Sequence, residues 1–201
     1  MQTEITLIIV KHDGVARGLM GQIISRFEKV GLKLIALEFI QSTEDMGKAH
    51  YPGSKKWLET AGNRTLDDYQ RNNIDPKEVF GTDKASEIGR VIKNWLVEYL
   101  AAGPVLAMVW EGPGAVVIGR KLCGDTIPAK ALPGTIRGDF AIDNVDLANK
   151  QGRPIYNVVH ASGEVAEAES EIELWFDKNE IFDYKTYTNK FSGTLGKLGK
   201  V

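Results

Sequence analysis

The chain has 201 residues, of which 43% are hydrophobic and 26% are charged, a composition typical of one soluble globular domain with insertions. Its formal net charge of −2 provides no broad basic surface, which argues against nucleic acid or an anionic membrane as the partner. Cys123 is the single cysteine, so an internal disulfide and a multi-cysteine zinc site are both excluded.

The first residues, MQTEITLIIVKHDG, carry acidic Glu4 and only a short apolar run, which is not the pattern of a signal peptide. No apolar stretch approaches the length that a membrane-spanning helix needs. We therefore expect a cytoplasmic protein.

Strand-like and helix-like patterns alternate along the chain. The β-branched run 5–10 predicts a strand buried on both faces, and apolar residues at helical spacing predict a helix over 17–30. Further elements are predicted as strands over 32–41, 104–112 and 157–160, and as helices over 114–124 and 164–176. The order β-α-β-β-α-β predicts an α+β fold, an α/β sandwich with a ferredoxin-like antiparallel sheet.

Two segments are additions to this order. Residues from about 57 to 102 predict a helical insertion, because Asp75-Pro76 is typical of a helix start and 86–100 has helical apolar spacing. The polar stretch 143–154 predicts an enlarged loop. We expect residues 1–183 to form a single domain and 184–201 to form a C-terminal extension that frays or wraps a neighbour.

A histidine stands where the last predicted strand ends. His160 closes the run Asn-Val-Val-His, Ser162 follows it closely, and Glu171 lies at the edge of the apolar face of the next helix. A nucleophilic histidine needs one unprotonated ring nitrogen and a partner that fixes the tautomer through the other. Ser162 and Glu171 are candidates for that help, but from these residues alone a structural histidine remains equally open.

Candidate anion-binding side chains lie in the connections at the ends of these elements. They are Lys11, Arg120, Thr126 and Arg137. Arginine can bind phosphate oxygens in bidentate fashion, lysine acts as a point charge and threonine adds a hydrogen bond. Each also fits a solvated surface residue. The stretch GAVVIGRK, 114–121, shares only two glycines with a phosphate-binding P-loop and is not one.

Three blocks of the sequence resemble the nucleoside diphosphate kinase family. Residues 6–51 are similar to its K-P-D-G-V-x-R-G-L-x-G-x-I block. Residues 104–140 match its G-R, G-x-T-x-P and P-G-T-I-R-G-D-F elements, and 157–176 match its N-x-x-H-x-S strand and E-I-x-L-W-F helix. The blocks occur in the family's order over about two thirds of the chain.

The resemblance implies a ping-pong reaction in which His160 takes the γ-phosphate of a nucleoside triphosphate, typically ATP, and passes it to a nucleoside diphosphate. Glu171 and Ser162 match the positions that orient and polarise this histidine. The positions that match nucleotide contacts are Lys11, Tyr51, Arg120, Thr126, Arg137 and Asn157. Trp57 is the candidate for stacking on the base, against a purely structural role.

The resemblance also implies partners and a cofactor. Mg²⁺ would arrive bridging the nucleotide phosphates, with no metal held by protein side chains alone. A homo-oligomer, either a tetramer or a hexamer, is expected. We further expect activity to fall in mildly acidic buffer as His160 becomes protonated.

Some positions depart from the family pattern. His12 replaces its proline, and we interpret it as an exposed turn residue, while His50 is interpreted as a helix-surface residue. Two other functions remain open, a catalytically inactive nucleotide-binding regulatory protein and an RNA-binding module. The second needs exposed aromatic residues on the central strands, which the sequence lacks.

Overall fold

An antiparallel sheet of four strands organises the computed structural model, which describes residues 3–71 and 73–186, apart from the side chains of 149 and 150. The strands are β1 (Thr3–Val10), β2 (Lys33–Gln41), β3 (Pro104–Pro113) and β4 (Val159–Ala161), in the spatial order β2-β3-β1-β4. All three pairings are antiparallel, which confirms the predicted ferredoxin-like α+β fold.

Ten helices surround this sheet in the described part of the chain. They are α1 (His12–Ala16), α2 (Met20–Lys29), α3 (Glu44–His50), α4 (Lys55–Arg71), α5 (Pro76–Phe80), α6 (Ala85–Ala101), α7 (Ala115–Cys123), α8 (Ile136–Phe140), α9 (Val145–Lys150) and α10 (Val165–Trp175). Short 3-10 turns cover Pro128–Lys130 and Lys178–Glu180. The helix predicted over 17–30 begins only at Met20, because Gly18 takes a left-handed turn at φ 68°.

The alternation of side chains along the central strands fills two apolar layers. On one face, Ile8 and Val10 of β1 pack with Phe27 of α2 and with residues of α7. On the other, Leu7 and Ile9 pack with α6 and α10. Residues 7–10 are all completely buried, so the prediction of a strand covered on both faces is confirmed.

The predicted helical insertion contains α4, α5 and α6. Helices α4 and α6 lie so close together that glycine is required at the contact: a Cβ on Gly62 would lie 1.8 Å from the carbonyl oxygen of Ala85. Asp75 caps α5 as predicted, since its side chain accepts a hydrogen bond from the Lys77 N–H at 2.9 Å. None of the described helices is long and apolar enough to cross a membrane.

The segments 143–154 and 184–186 add detail at the surface. The enlarged loop contains α9, whose Leu147 N–H is capped by the side-chain oxygen of Asn144 at 2.9 Å. Beyond the domain predicted over 1–183, the Tyr184 hydroxyl donates to the carbonyl of Leu34 at 2.7 Å, so the chain follows the outer edge of β2. The rest of the predicted C-terminal extension, 187–201, lies outside the described residues.

Candidate active site

His160 lies on strand β4, which forms one edge of the sheet and pairs with β1. Ile9 of β1 lies opposite His160, and the Lys11 N–H donates to the carbonyl of Val158 at 2.8 Å. Val158 has φ 69°, a left-handed conformation that a β-branched residue rarely adopts. This conformation breaks the extended chain, which explains why the strand predicted over 157–160 starts only at Val159.

His160, Glu171 and Ser162 come together as the sequence predicts. Helix α10 folds back on β1, and Glu171 Oε1 lies 2.9 Å from His160 Nε2. The ring N–H is not aligned for a hydrogen bond in this geometry. The Ser162 hydroxyl donates to Glu171 Oε2 at 2.6 Å, which holds the carboxylate with its other oxygen close to His160.

Burial sets the protonation of this group. Together with the charge of Lys11, it lowers the pKa of His160 to about 3, so the ring is neutral. Burial also raises the pKa of Glu171, although the hydrogen bond from Ser162 opposes that shift. The His160 side chain remains 15% exposed, which leaves it open to a ligand from one side.

Lys11 is buried where β1 ends. Its Nζ donates to Asn157 Oδ1 at 2.8 Å and lies 4.4 Å from the centre of the Tyr99 ring. Burial, reinforced by the nearby charge of Arg137, lowers the pKa of Lys11 to about 7. The Asn157 amide in turn donates to the Thr126 carbonyl at 3.0 Å, which joins two of the predicted nucleotide-binding positions.

Arg137, on α8, is tied to three backbone carbonyls. Its guanidinium donates to Gly124 and Val159 at 2.8 Å and to Asn157 at 3.3 Å. An arginine has five N–H groups, so two remain for a ligand. Burial lowers the pKa of Arg137, but the group stays charged at any ordinary pH.

Arg120 and Thr126 are exposed, on α7 and in the connection after it. The charges of Lys11, Arg137 and Arg120 all act to lower the pKa of His160, so the three cations are near enough to the imidazole to influence its charge. The structure therefore brings Lys11, Arg120 and Arg137 near the candidate nucleophile, while Thr126 is linked to them through its backbone carbonyl, which accepts from Asn157.

Tyr51, predicted to lie near the transferred group, and Trp57, predicted to stack on the base, are neighbours in the structure. Tyr51, which follows α3, is buried, and burial raises the pKa of its hydroxyl above the usual range. Trp57 of α4 is only partly buried, and its ring centre lies 6.2 Å from that of Tyr51. Towards the other end of α4, Asp68 forms an ion pair at 2.9 Å with Lys130, four residues after Thr126 in the chain.

Two histidines differ from the interpretation of their sequence context. His50 is not a helix-surface residue, because α3 turns its side chain inward and leaves it completely buried. His12 is not an exposed turn residue either, since it is half-buried and its ring packs edge-on against Tyr99 and Tyr156. Helical spacing could have indicated the burial of His50, as Met46 and Gly47 lie on the same side of a short helix.

A possible metal-binding group exists among the described residues, formed by His50, His160 and Glu171 with their ligand atoms within 4.8 Å of one another. Its chemistry does not suit Mg²⁺, which prefers six oxygen ligands. It also does not suit a softer metal, because the Trp175 N–H occupies His50 Nδ1 and leaves the proton on Nε2, the nitrogen that faces Glu171.

Comparisons with known proteins identify the family of this chain. The family model described as nucleoside diphosphate kinase matches residues 4–58 and 85–181 and passes over 59–84, which include most of α4 and all of α5. A nucleoside diphosphate kinase of Pyrobaculum aerophilum is 50% identical over 183 residues, covering 91% of this chain and 100% of the relative. Nucleoside diphosphate kinase A of Rattus norvegicus is 41% identical over 92% of this chain and 93% of its own.

Solved structures give the same result. The crystal structure of an NDP kinase from Pyrobaculum aerophilum superposes with a TM-score of 0.87 at 48% identity, covering 90% of this chain and 100% of that one. A nucleoside diphosphate kinase from Borrelia burgdorferi, with bound vanadate and ADP as a transition state mimic, superposes with a TM-score of 0.73 at 38% identity, over 93% of this chain and 95% of that one. The chain therefore belongs to the nucleoside diphosphate kinase family and is a phosphotransferase that moves the γ-phosphate of nucleoside triphosphates to nucleoside diphosphates.

Proposed function

We propose that His160 is the residue that carries the phosphoryl group between the two nucleotides. The observation that carries this proposal is the contact of Glu171 with His160 Nε2, which leaves Nδ1 as the free nitrogen. In the first half-reaction the Nδ1 lone pair attacks the γ-phosphorus and the bond to the bridging oxygen breaks. The diphosphate leaves with that electron pair, and a second diphosphate reverses the step.

The surrounding residues have separate roles in this proposal. Glu171 stabilises the positive charge that develops on the imidazole, and Ser162 fixes the carboxylate. Arg120, Arg137 and Lys11 neutralise phosphate oxygens, Thr126 adds a hydrogen bond and Asn157 holds Lys11 beside the ribose and phosphates. Because these contacts act on phosphate and sugar, we expect little preference among bases.

Two aromatic residues complete the proposed contacts with the nucleotide. Tyr51 is buried near the imidazoles and is proposed to contact the transferred group, while partly buried Trp57 is proposed to stack on the base. The substrate is proposed to be the Mg²⁺ complex of the nucleotide, because Mg²⁺ prefers oxygen ligands and the phosphate oxygens supply them while Lys11, Arg120 and Arg137 repel the ion.

Assembly and location complete the proposal. The outer edge of β2 exposes Leu37 and Phe39, at 47% and 56%, and apolar residues on an edge strand favour association with another copy. We propose a homo-oligomer, a tetramer or hexamer, which light scattering will identify.

The buried free thiol of Cys123 is compatible with a reducing cytoplasm, where we propose that the enzyme works. The domain is proposed to span residues 1–183.

The test is to incubate the protein with γ-labelled ATP and Mg²⁺ without an acceptor. We expect label that is lost in acid and survives alkali, and that moves to added diphosphate. His160→Asn should take up no label while it still binds MgADP and melts at the wild-type temperature. Label that persists in His160→Asn would remove His160 from the mechanism, and nucleotide binding without any label would favour the inactive regulatory alternative.

A further inference from the structure

A second buried imidazole lies against the proposed nucleophile. The His50 side chain is 0% exposed, and its ring centre is 4.4 Å from that of His160, with the planes at 77°. No step of the phosphoryl transfer proposed for His160 takes place at His50. Burying a polar ring is unfavourable unless its polar atoms have partners, so the contacts of its two nitrogens indicate what the ring does.

Trp175 determines which nitrogen of His50 carries the proton. An indole N–H can only donate, and that of Trp175 donates to His50 Nδ1 at 3.3 Å. Nδ1 must therefore be unprotonated. Because the buried ring is neutral, its proton lies on Nε2. The Trp175 donor and the neutrality of the ring together determine this tautomer.

The protonated nitrogen of His50 faces the carboxylate that serves His160. His50 Nε2 lies 3.6 Å from Glu171 Oε1, the same oxygen that lies 2.9 Å from His160 Nε2. Ser162 already donates to the other oxygen. Within the described residues, neither imidazole Nε2 has a hydrogen-bonded partner, so both N–H groups are available to Oε1.

We propose that His50 is a positioning residue for His160, held by Trp175 in the tautomer that directs an N–H group at Glu171. This inference rests on the proposed function of His160. The carboxylate then faces three donors, which fix its orientation and favour its charged form. A charged, fixed Glu171 keeps the His160 proton on Nε2 and leaves the Nδ1 lone pair free to attack.

The 3.6 Å separation is longer than a hydrogen bond, and catalytic contacts of this kind are often long before the substrate binds. As the N–P bond forms and the P–O bond breaks, positive charge develops on His160 and is balanced by Glu171. His50 neither gains nor loses a proton in that step. It prevents the carboxylate from turning away, and it shields the pair from water.

Four variants test this arrangement. His50→Gln keeps an amide N–H in the place of Nε2 and an oxygen for Trp175, whereas His50→Phe keeps the ring without either nitrogen. Trp175→Phe removes the indole donor, and Trp95→Phe is its matched control, since Trp95 packs on Phe80 away from this site. For each variant we measure kcat and KM for both nucleotides, the melting temperature and the ¹⁵N spectrum of the imidazoles.

We expect His50→Phe and Trp175→Phe to lower kcat about tenfold, the size expected for a hydrogen bond to a charged group, with KM changed less than about twofold. His50→Gln and Trp95→Phe should stay within about threefold of the wild-type kcat. The spectrum should show His50 protonated at Nε2 in the wild type, and a mixture of tautomers in Trp175→Phe.

A wild-type kcat in His50→Phe, or a proton on Nδ1 of His50 in the wild type, would overturn the proposal. If His50→Phe does not fold, Trp175→Phe and the spectrum decide the question on their own. The failure of the proposed function is separately visible, because the wild-type protein in the same preparation would then take up no label on His160.

Discussion

Around His160 the side chains are buried and held by several contacts each, whereas around Trp57 they are partly exposed and held by few. Arg137 alone makes three hydrogen bonds to backbone carbonyls. At the other end, Trp57 lies near the start of α4, where its backbone N–H donates a hydrogen bond to the Ser54 hydroxyl at 3.2 Å. The contrast indicates that the side chains are rigidly held at the proposed site of phosphoryl transfer and freer to adjust at the proposed site of the base.

The largest effect is expected from Glu171→Gln. Loss of the charge that balances the developing imidazolium should lower kcat about 100-fold or more, with little change in MgADP binding. Glu173→Gln, which changes an exposed carboxylate on the same helix, is the matched control. The measurement is steady-state kinetics with a calorimetric Kd for ADP. If both variants had the same kcat, the buried carboxylate would have no role in the transfer.

The next effect concerns pH. Because the pKa of Lys11 is lowered to about 7, the free enzyme loses this cation as pH rises, and kcat/KM should fall about tenfold per pH unit above that value. The pKa of His160 is about 3, so the loss in mildly acidic buffer expected from the sequence moves to lower pH. A pH profile of kcat/KM from pH 4 to 9 checks both limbs, and Lys11→Arg should remove the alkaline one.

The same burial has a consequence for stability. An unfolded histidine titrates near 6.5, while folded His50 and His160 stay neutral down to about pH 3. Between those values the unfolded chain binds more protons, so the free energy of unfolding should decrease as pH falls below about 6.5.

A smaller effect is expected at the base end. Trp57→Ala should raise the KM for nucleotides about tenfold, since stacking on an aromatic ring contributes about 1–3 kcal/mol, while kcat stays near wild type. Trp57→Phe keeps a stacking surface and should recover most of the affinity. A loss of kcat larger than the change in KM would place Trp57 with the phosphoryl end and break the comparison.

The smallest effect on catalysis is expected from Gly62→Ala. The added methyl group meets the Ala85 carbonyl at the contact of α4 with α6, and overpacking of this kind costs about 1–3 kcal/mol of stability. Gly21→Ala, at an exposed helical position with no atom within 4 Å, should instead stabilise slightly. Thermal melts give the comparison, and labelling of His160 should remain within about twofold in both variants because the described contacts of His160 come from β1, α3 and α10.

The two regions also differ in how far the sequence predicted them. Strand alternation and the helix of Glu171 are local patterns, so the fold and the approach of Glu171 to His160 could be anticipated, whereas the approach of Lys11, Arg120 and Arg137 to His160 was implied only by the resemblance to the family. The contact of His50 with Trp175 and His160 could not be anticipated, because it depends on α3 meeting α10 across 125 residues of sequence. Likewise, α9 formed inside a predicted loop, since its Asn144 cap and the Asp143–Arg153 ion pair stabilise a helix that its composition does not favour.

The strained backbone of Val158 shows what the fixed geometry around His160 costs in free energy. A β-branched residue with positive φ costs about 1–3 kcal/mol, and here the distorted backbone is secured by hydrogen bonds of its N–H to Asp13 and to the hydroxyl of Tyr99. The bend directs the carbonyls of Asn157 and Val159 towards Arg137. It also turns the side chain of His160 towards the ligand. Folding therefore supplies part of the free energy needed to align the reactants, so that the imidazole of His160 is already oriented when a nucleotide binds.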